Sequence, residues 1–87
     1  MPRNERRTIT ESTDLGIGML IAESEDGAYQ PIAPVNTISE AREMAASDLR
    51  GRMRLSEQGS DPMCPAHYLV WARGDGGEYT TVAEIEA

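Results

Sequence analysis

Residues 17–35, which read IGMLIAESEDGAYQPIAPV, decide the fold. Apolar residues in the first part of this stretch occupy both alternating sets of positions, which predicts a β-strand with an apolar face on each side. The Asp26-Gly27 dipeptide that follows is the strongest short-range signal for a hairpin. Pro31 and Pro34 interrupt the returning strand. Because proline donates no ladder hydrogen bond, we expect that strand to lie at an edge of the sheet.

A helix is predicted directly after this hairpin. The run Thr37-Ile38-Ser39-Glu40 has the spacing of a capping box, and the helical pattern continues to about Gln58. Gly59 and Asp61-Pro62 are typical of a helix end. The predicted core-facing side of the helix consists of Ile38, Ala41, Met44, Ala45, Leu49, Met53 and Leu55.

A second hairpin follows the helix. Residues 65–73 and 79–85 alternate as strands do, and Gly74-Asp75-Gly76-Gly77 joins them as a turn. The fold class is therefore predicted to be α+β, with a small antiparallel sheet of two hairpins and one amphipathic helix packed on one face, in the order ββαββ. We expect one domain over residues 15–87, preceded by a flexible arm over residues 1–14. We see no internal repeat in the sequence.

Composition excludes several classes of protein. A chain of 87 residues has room for one domain, and a single cysteine cannot form an internal disulfide. The apolar runs, such as residues 19–22, are too short for a membrane span or a signal peptide. A net charge of −7 argues against nucleic acid as a partner. We therefore expect a cytoplasmic protein with neither a nucleic acid nor a membrane as its partner. Every basic residue is arginine, which is typical of a high-GC bacterial or phage genome.

Cys64 and His67 are the residues that most invite a chemical interpretation. A closed zinc site needs four ligands, so these two could serve only in a site shared between two chains. A Cys64 nucleophile with His67 as base and Asp61 as orienting group is the other alternative. The sequence shows no convergent set of acid, base and nucleophile. We therefore predict no metal, no cofactor, no catalytic residue and no enzymatic activity.

Trp71 has two interpretations. It shares a strand face with His67 and Arg73, and it could supply the bulk of a core that contains no phenylalanine. The other interpretation is a binding face, because tryptophan, tyrosine and arginine are the residues that anchor interfaces.

The distribution of charge indicates a basic protein partner. Acidic and basic residues cancel in residues 1–16 and in the predicted helix, so the negative surplus lies in the two hairpins. Such a surplus speeds association with a basic surface and makes it sensitive to salt. The candidate partner-binding residues are Glu23, Glu25, Asp26, Asp75, Glu78, Glu84, Trp71 and Arg73.

Residues 17–62 resemble HicB-type antitoxins. The shared features are a strand, the acidic hairpin at residues 25–29, a proline-broken second strand, and Thr37-x-x-Glu40-Ala41 at the start of an amphipathic helix that ends at Gly59 before Pro62. The resemblance implies a partial ribonuclease-H-like sheet that binds a small basic toxin, with a DNA-binding segment attached. This chain differs in having Pro34-Val35-Asn36 in place of the Pro-Asp-Leu-Pro-Gly-Cys type of element, and a hairpin in place of the DNA-binding segment.

The sequence thus predicts a non-catalytic interaction protein of the antitoxin, immunity or accessory-inhibitor type. The alternative is a homodimeric structural or ligand-sensing domain.

Overall fold

The predicted α+β architecture is confirmed. A computed structural model describes residues 10–74 and 76–87. Its elements are β1 (Gly18–Ser24), β2 (Tyr29–Val35), α1 (Ile38–Glu57), β3 (Pro65–Arg73) and β4 (Tyr79–Glu86). The strands form one antiparallel sheet in the order β2-β1-β3-β4, so each hairpin contributes one central and one edge strand. The proline-containing β2 lies at an edge, as its sequence predicts.

The ends of the helix are fixed by local hydrogen bonds. Thr37 caps the first turn by accepting a hydrogen bond from the Glu40 N–H, while the Glu40 carboxylate accepts one from the Asn36 N–H at 2.6 Å. At the other end Gly59 has a φ of 93°, and the Ser60 N–H donates to the Leu55 carbonyl. This is the Schellman arrangement. The residue after the helix end has a left-handed backbone conformation in it, which favours glycine at that position.

The core lies between the helix and one face of the sheet. It consists of Leu20 and Ala22 from β1, Val35 from β2, Ala41 and Ala45 from α1, Tyr68 and Val70 from β3, and Ile85 from β4. The aromatic residue of this core is Tyr68, which is 1% exposed, and not Trp71. Alanine on the helix side lets the helix approach the sheet closely, so a bulky Tyr68 ring and the branched residues of the strands fill the space.

The predicted core face of the helix is correct in its first half and wrong in its second half. Ile38, Ala41 and Ala45 are buried, but Met53 and Leu55 are 58% and 46% exposed. The helix runs back along β2, from Glu40 beside Asn36 to Arg52 beside Gln30. A helix of 20 residues is about 30 Å long, whereas the 7 residues of β2 span only about 23 Å. The last turns of the helix therefore extend beyond the surface that could bury them.

The two hairpins have the same internal geometry, which sequence inspection missed. In each, a glycine with φ near 90° (Gly27, Gly77) closes the turn by donating to a carbonyl three residues earlier. Each returning strand then carries one extra, bulged residue at the same distance from its turn, Ile32 in β2 and Val82 in β4. The burial pattern of β2 recurs over the corresponding residues of β4.

The central strands relate these hairpins by approximate twofold symmetry. β1 and β3 pair around the Leu20↔Val70 contact, with Gly18↔Ala72 and Ala22↔Tyr68 at equal distances on either side. A rotation about an axis that is perpendicular to the sheet and passes between Leu20 and Val70 therefore exchanges the two hairpins. Identical residues fall at a few matched positions (Gly27 and Gly77, Tyr29 and Tyr79), too few to be seen without the register.

A polar network joins the helix to the sheet at one end of the core. Asp48 Oδ2 accepts hydrogen bonds from the Tyr68 hydroxyl and from Arg52 Nε, both at 2.6 Å. The Arg52 guanidinium also donates to the Met63 carbonyl at 3.0 Å and to Gln30 Oε1 at 2.7 Å. Burial alone would lower the pKa of Arg52, but the hydrogen bond and charge of Asp48 outweigh it and raise that pKa. The Asp48–Arg52 pair thus links α1 to β2, to β3 and to the 58–64 loop.

The N-terminal segment contacts the helix where the structure describes it. The Glu11 carbonyl accepts a hydrogen bond from the Ser39 N–H at 2.9 Å, and the Glu11 carboxylate pairs with Arg42 Nε at 2.8 Å. Residues 1–9 of the predicted flexible arm lie outside the described residues.

We predict that Asp48→Ala destabilises the fold by about 1–3 kcal/mol, because it leaves the Tyr68 hydroxyl and the Arg52 guanidinium without their shared acceptor. The matched control is Arg42→Ala, which breaks an exposed ion pair and should cost less than about 1 kcal/mol. Urea unfolding of the three proteins measures both values. Equal losses for the two variants would contradict a stabilising role for the Asp48 network.

We also predict that stability falls at alkaline pH because of Tyr68. Burial, and next the hydrogen bond to Asp48, raise the pKa of this phenol above its ordinary value. The unfolded chain therefore loses the Tyr68 proton at about pH 10 while the folded protein retains it, so the unfolding free energy decreases above that pH. Tyr68→Phe should be less stable than wild type at neutral pH but should lose less stability between neutral pH and pH values above about 10. Urea unfolding at neutral pH and at a pH above about 10 tests this. An identical loss of unfolding free energy in both proteins at the alkaline pH would contradict it.

Candidate functional site

The sheet has a second face that no described element covers, and we call it the open face. Strand alternation and register place its side chains in four rows that run across the strands. Its residues are Met19, Ile21 and Glu23 of β1; Tyr29, Pro31 and Pro34 of β2; His67, Leu69, Trp71 and Arg73 of β3; and Tyr79, Thr81, Glu84 and Glu86 of β4.

Three aromatic rings lie together on the open face. The centroid of the Trp71 ring is 5.5 Å from that of Tyr29, in an edge-to-face arrangement, and 6.4 Å from that of Tyr79. The two tyrosines belong to the two edge strands and are 56% and 44% exposed, while Trp71 is half-buried. The rings therefore join the edge strands across the central pair as one aromatic surface.

The open face is apolar below these rings as well. Ile21 and Leu69 are only 2% and 6% exposed although they do not belong to the cluster under the helix. Neighbouring side chains on the same face cover them. The sequence predicts a strand that is apolar on both sides at β1, and the structure shows that the helix covers only one of those sides.

One end of the open face is acidic. Glu23, His67 and Glu86 lie opposite one another on β1, β3 and β4, and Glu84 occupies the next row. The ring nitrogen His67 Nε2 is 2.5 Å from Glu23 Oε1. No hydrogen bond within the described residues connects this pair to a nucleophile. Arg73 lies at the opposite end, where it pairs with Tyr79.

The predicted partner-binding residues divide into separate groups. Glu23, Glu84, Trp71 and Arg73 lie on the open face. Two others, Glu25 and Asp26, lie in the β1–β2 turn beside the acidic end. Glu78 lies at the β3–β4 turn, which the antiparallel register places at the other end of the sheet. Asp75 lies outside the described residues.

Asp26 has a local structural role. Its carboxylate accepts a hydrogen bond from the Ser24 hydroxyl, and this bond, followed by one from the Ala28 N–H, lowers the pKa of Asp26. An aspartate at this position is thus explained by the turn itself.

No hydrogen bond joins Cys64 to His67 within the described residues. Cys64 is exposed and unpaired in the loop before β3, whereas His67 faces Glu23. Within residues 10–74 and 76–87, no three histidine, cysteine, aspartate or glutamate side chains are grouped so that they could hold a metal ion. Nor does that part of the chain contain a helix long and apolar enough to cross a membrane.

A cleft lies between the end of the helix and the loop that follows it. Its volume is about 590 Å³, and Asp48, Arg52, Arg54 and Met63 are among its lining residues. Its best-placed polar groups, Asp48 and Arg52, already hydrogen-bond to each other and to Tyr68, Gln30 and Met63. The cleft therefore offers fewer free recognition groups than the open face does.

Sequence reasoning identified Trp71 and Arg73 but missed their aromatic neighbours. Tyr29 and Tyr79 each stand two residues after a turn glycine, and this matched placement is the signal that could have found them. The His67–Glu23 contact had no such signal, because it depends on the register between two strands that are distant in sequence.

Comparisons with protein-family models, with curated proteins and with solved structures found no match to this chain. The resemblance to HicB-type antitoxins therefore remains a hypothesis.

Proposed function

We propose that this chain is a non-catalytic interaction protein that binds a basic protein partner on its open face. The observation that carries the proposal is the Tyr29–Trp71–Tyr79 aromatic surface on a sheet face without a covering helix. Large apolar patches on a soluble domain mark interaction sites, and tryptophan and tyrosine are enriched among the residues that dominate binding energy.

Charge supports a basic partner. The chain carries a net charge of −7, and Glu23, Glu84 and Glu86 lie together at one end of the open face. An apolar centre with a charged edge is the usual anatomy of a protein interface. A partner with lysine or arginine opposite this edge would be attracted before contact, and the rate of association would fall as salt increases.

The biological class follows from the partner's chemistry. A small basic toxin, as the resemblance to HicB-type antitoxins implies, is one such partner; a basic nuclease bound by an immunity protein or an accessory inhibitor is another. In each case the chain would act by occupying a surface and not by catalysis.

A homodimer is the second candidate, and the distribution of charge on the open face is the observation that favours it. Arg73 lies at one end and Glu84 and Glu86 lie at the other. A twofold axis that lies parallel to the sheet and runs across its strands would place Arg73 of one copy near the acidic end of the second copy, as an isologous interface requires. The charge of −7 on each copy opposes this association.

The prediction is that Trp71→Ala weakens binding of the partner at least about tenfold, which corresponds to loss of a hot-spot side chain. The partner is first captured from a lysate of the source organism, then identified and purified, and its binding is measured by surface plasmon resonance. Thermal unfolding checks that the variant is folded. Unchanged affinity with Trp71→Ala would contradict the proposed face.

The charge contribution is tested with two double variants. Glu84→Lys with Glu86→Lys reverses two acids on the open face, and Glu43→Lys with Glu57→Lys reverses two exposed acids on the helix. We expect the first pair to slow association several-fold more than the second, with the difference disappearing at high salt. Equal effects of the two pairs would show that only the net charge matters.

For the homodimer, sedimentation velocity over a wide concentration range should show a dimer that Arg73→Glu dissociates.

A further inference from the structure

The two edge strands differ in their capacity to accept another strand. β2 and β4 occupy equivalent positions in the two hairpins, and among the described residues each has a neighbouring strand on one side only. β2 contains Pro31 and Pro34, whereas the corresponding positions of β4 are Thr81 and Glu84. Proline has no N–H and blocks strand addition at an edge, so β2 is protected and β4 is not.

The hydrogen bonds of the turn show which groups of β4 face outward. The Gly74 N–H donates to the Glu78 carbonyl at 2.7 Å, which makes these two residues a hydrogen-bonded pair. Such pairs alternate along an antiparallel ladder, so Tyr79 and Thr81 are in non-hydrogen-bonded pairs with β3. Their N–H and C=O groups therefore point to the free edge. By the same alternation, the nitrogen of Pro31 points outward from β2. Because proline lacks its hydrogen at the free edge, no hydrogen bond within the sheet is lost.

The side chains of β4 define what a new strand would need. On the open face they are Tyr79, Thr81, Glu84 and Glu86; on the helix side Val82 and Ala83 are half-buried and Ile85 is at the border of the core. Side chains directly opposite on neighbouring strands lie about 4.5–5.5 Å apart and interact. A complementary strand thus alternates between basic residues beside Glu84 and Glu86 and apolar residues beside Val82 and Ile85.

We propose that the partner adds an extended segment of alternating basic and apolar residues to the β4 edge, as a fifth strand of the sheet; this inference rests on the proposed function. The acids of β4 select against a second copy of the chain, because Glu84 and Glu86 would be brought close to those of that copy, and they favour lysine or arginine. Interface size supports the inference: the open face measures only about 450 Å² from the strand spacing and rise, roughly half of a standard interface per partner. Main-chain hydrogen bonds at the edge supply the missing binding energy.

The probe is an acetylated and amidated octapeptide of alternating lysine and valine. Binding to the full chain is followed by the fluorescence of Trp71, the chain's single tryptophan, which lies next to Tyr79 of β4. Two further peptides serve as controls, one with glutamate in place of lysine and one with the same side chains but N-methylated alternate amides. We expect the lysine peptide to bind at least about tenfold more tightly than either control. We also expect it to slow amide hydrogen exchange of Tyr79 and Thr81 about tenfold or more.

The protein variants are Thr81→Pro and the matched control Thr81→Ala. The proline is already accepted at the equivalent position of β2, so the variant should fold, and thermal unfolding verifies this. Thr81→Pro should weaken binding of the lysine peptide at least about tenfold, while Thr81→Ala should change the affinity for that peptide less than about twofold. The N-methylated peptide retains the test if Thr81→Pro does not fold.

Several results would overturn strand addition: no binding of the lysine peptide, equal binding of its N-methylated form, unchanged exchange at Tyr79 and Thr81, or a dimer of the chain that Thr81→Pro dissociates. These outcomes are distinct from failure of the proposed function. If Trp71→Ala weakens binding of the purified partner but Thr81→Pro does not, the partner binds the open face without adding a strand. If neither variant weakens binding of the partner, the open face itself is not the binding site.

Discussion

The contact between Leu20 and Val70 is the one on which the rest of the structure depends. Both side chains are fully buried, and they form the centre of the only pairing that joins the two hairpins within the described sheet. Because side chains alternate along a strand, a shift of one residue at this pair would exchange the two faces of β3. The observed register places Tyr68 under the helix and Trp71 on the opposite face.

This register leaves more apolar surface than one helix can cover. α1 buries the side of the sheet that carries Tyr68, and its small residues Ala41 and Ala45 allow a close approach. The opposite side keeps Ile21 and Leu69 from water only by means of their own neighbours, among which is the half-buried ring of Trp71. A fold of this size has few means of covering a second face, and a partner that does so gains the burial that the chain alone cannot achieve.

Approximate symmetry separates structural positions from positions that are free to differ. Features required by hairpin geometry recur in both halves, such as the turn glycines and the bulged residues. Several matched positions on the open face differ in chemical type: Pro31 corresponds to Thr81, Pro34 to Glu84 and Glu23 to Arg73. Symmetry thus accounts for the scaffold, and the departures from it produce one protected edge, one acidic edge and a polarised face.

The sequence by itself determined the element order, the turn positions, the helix caps and the edge location of β2, because each depends on residues close in the chain: Asp26-Gly27, Thr37 with Glu40, and the two prolines. It could not determine which apolar residues lie in the core. Met53 and Leu55 have the right periodicity but extend beyond the sheet, and strand alternation places Tyr68 and Trp71 on opposite faces of β3 without showing which face the helix covers. The tertiary structure alone decided the His67–Glu23 contact, the Asp48 network and the aromatic surface, because strand register and helix placement bring together groups whose separation in sequence carries no periodic signal.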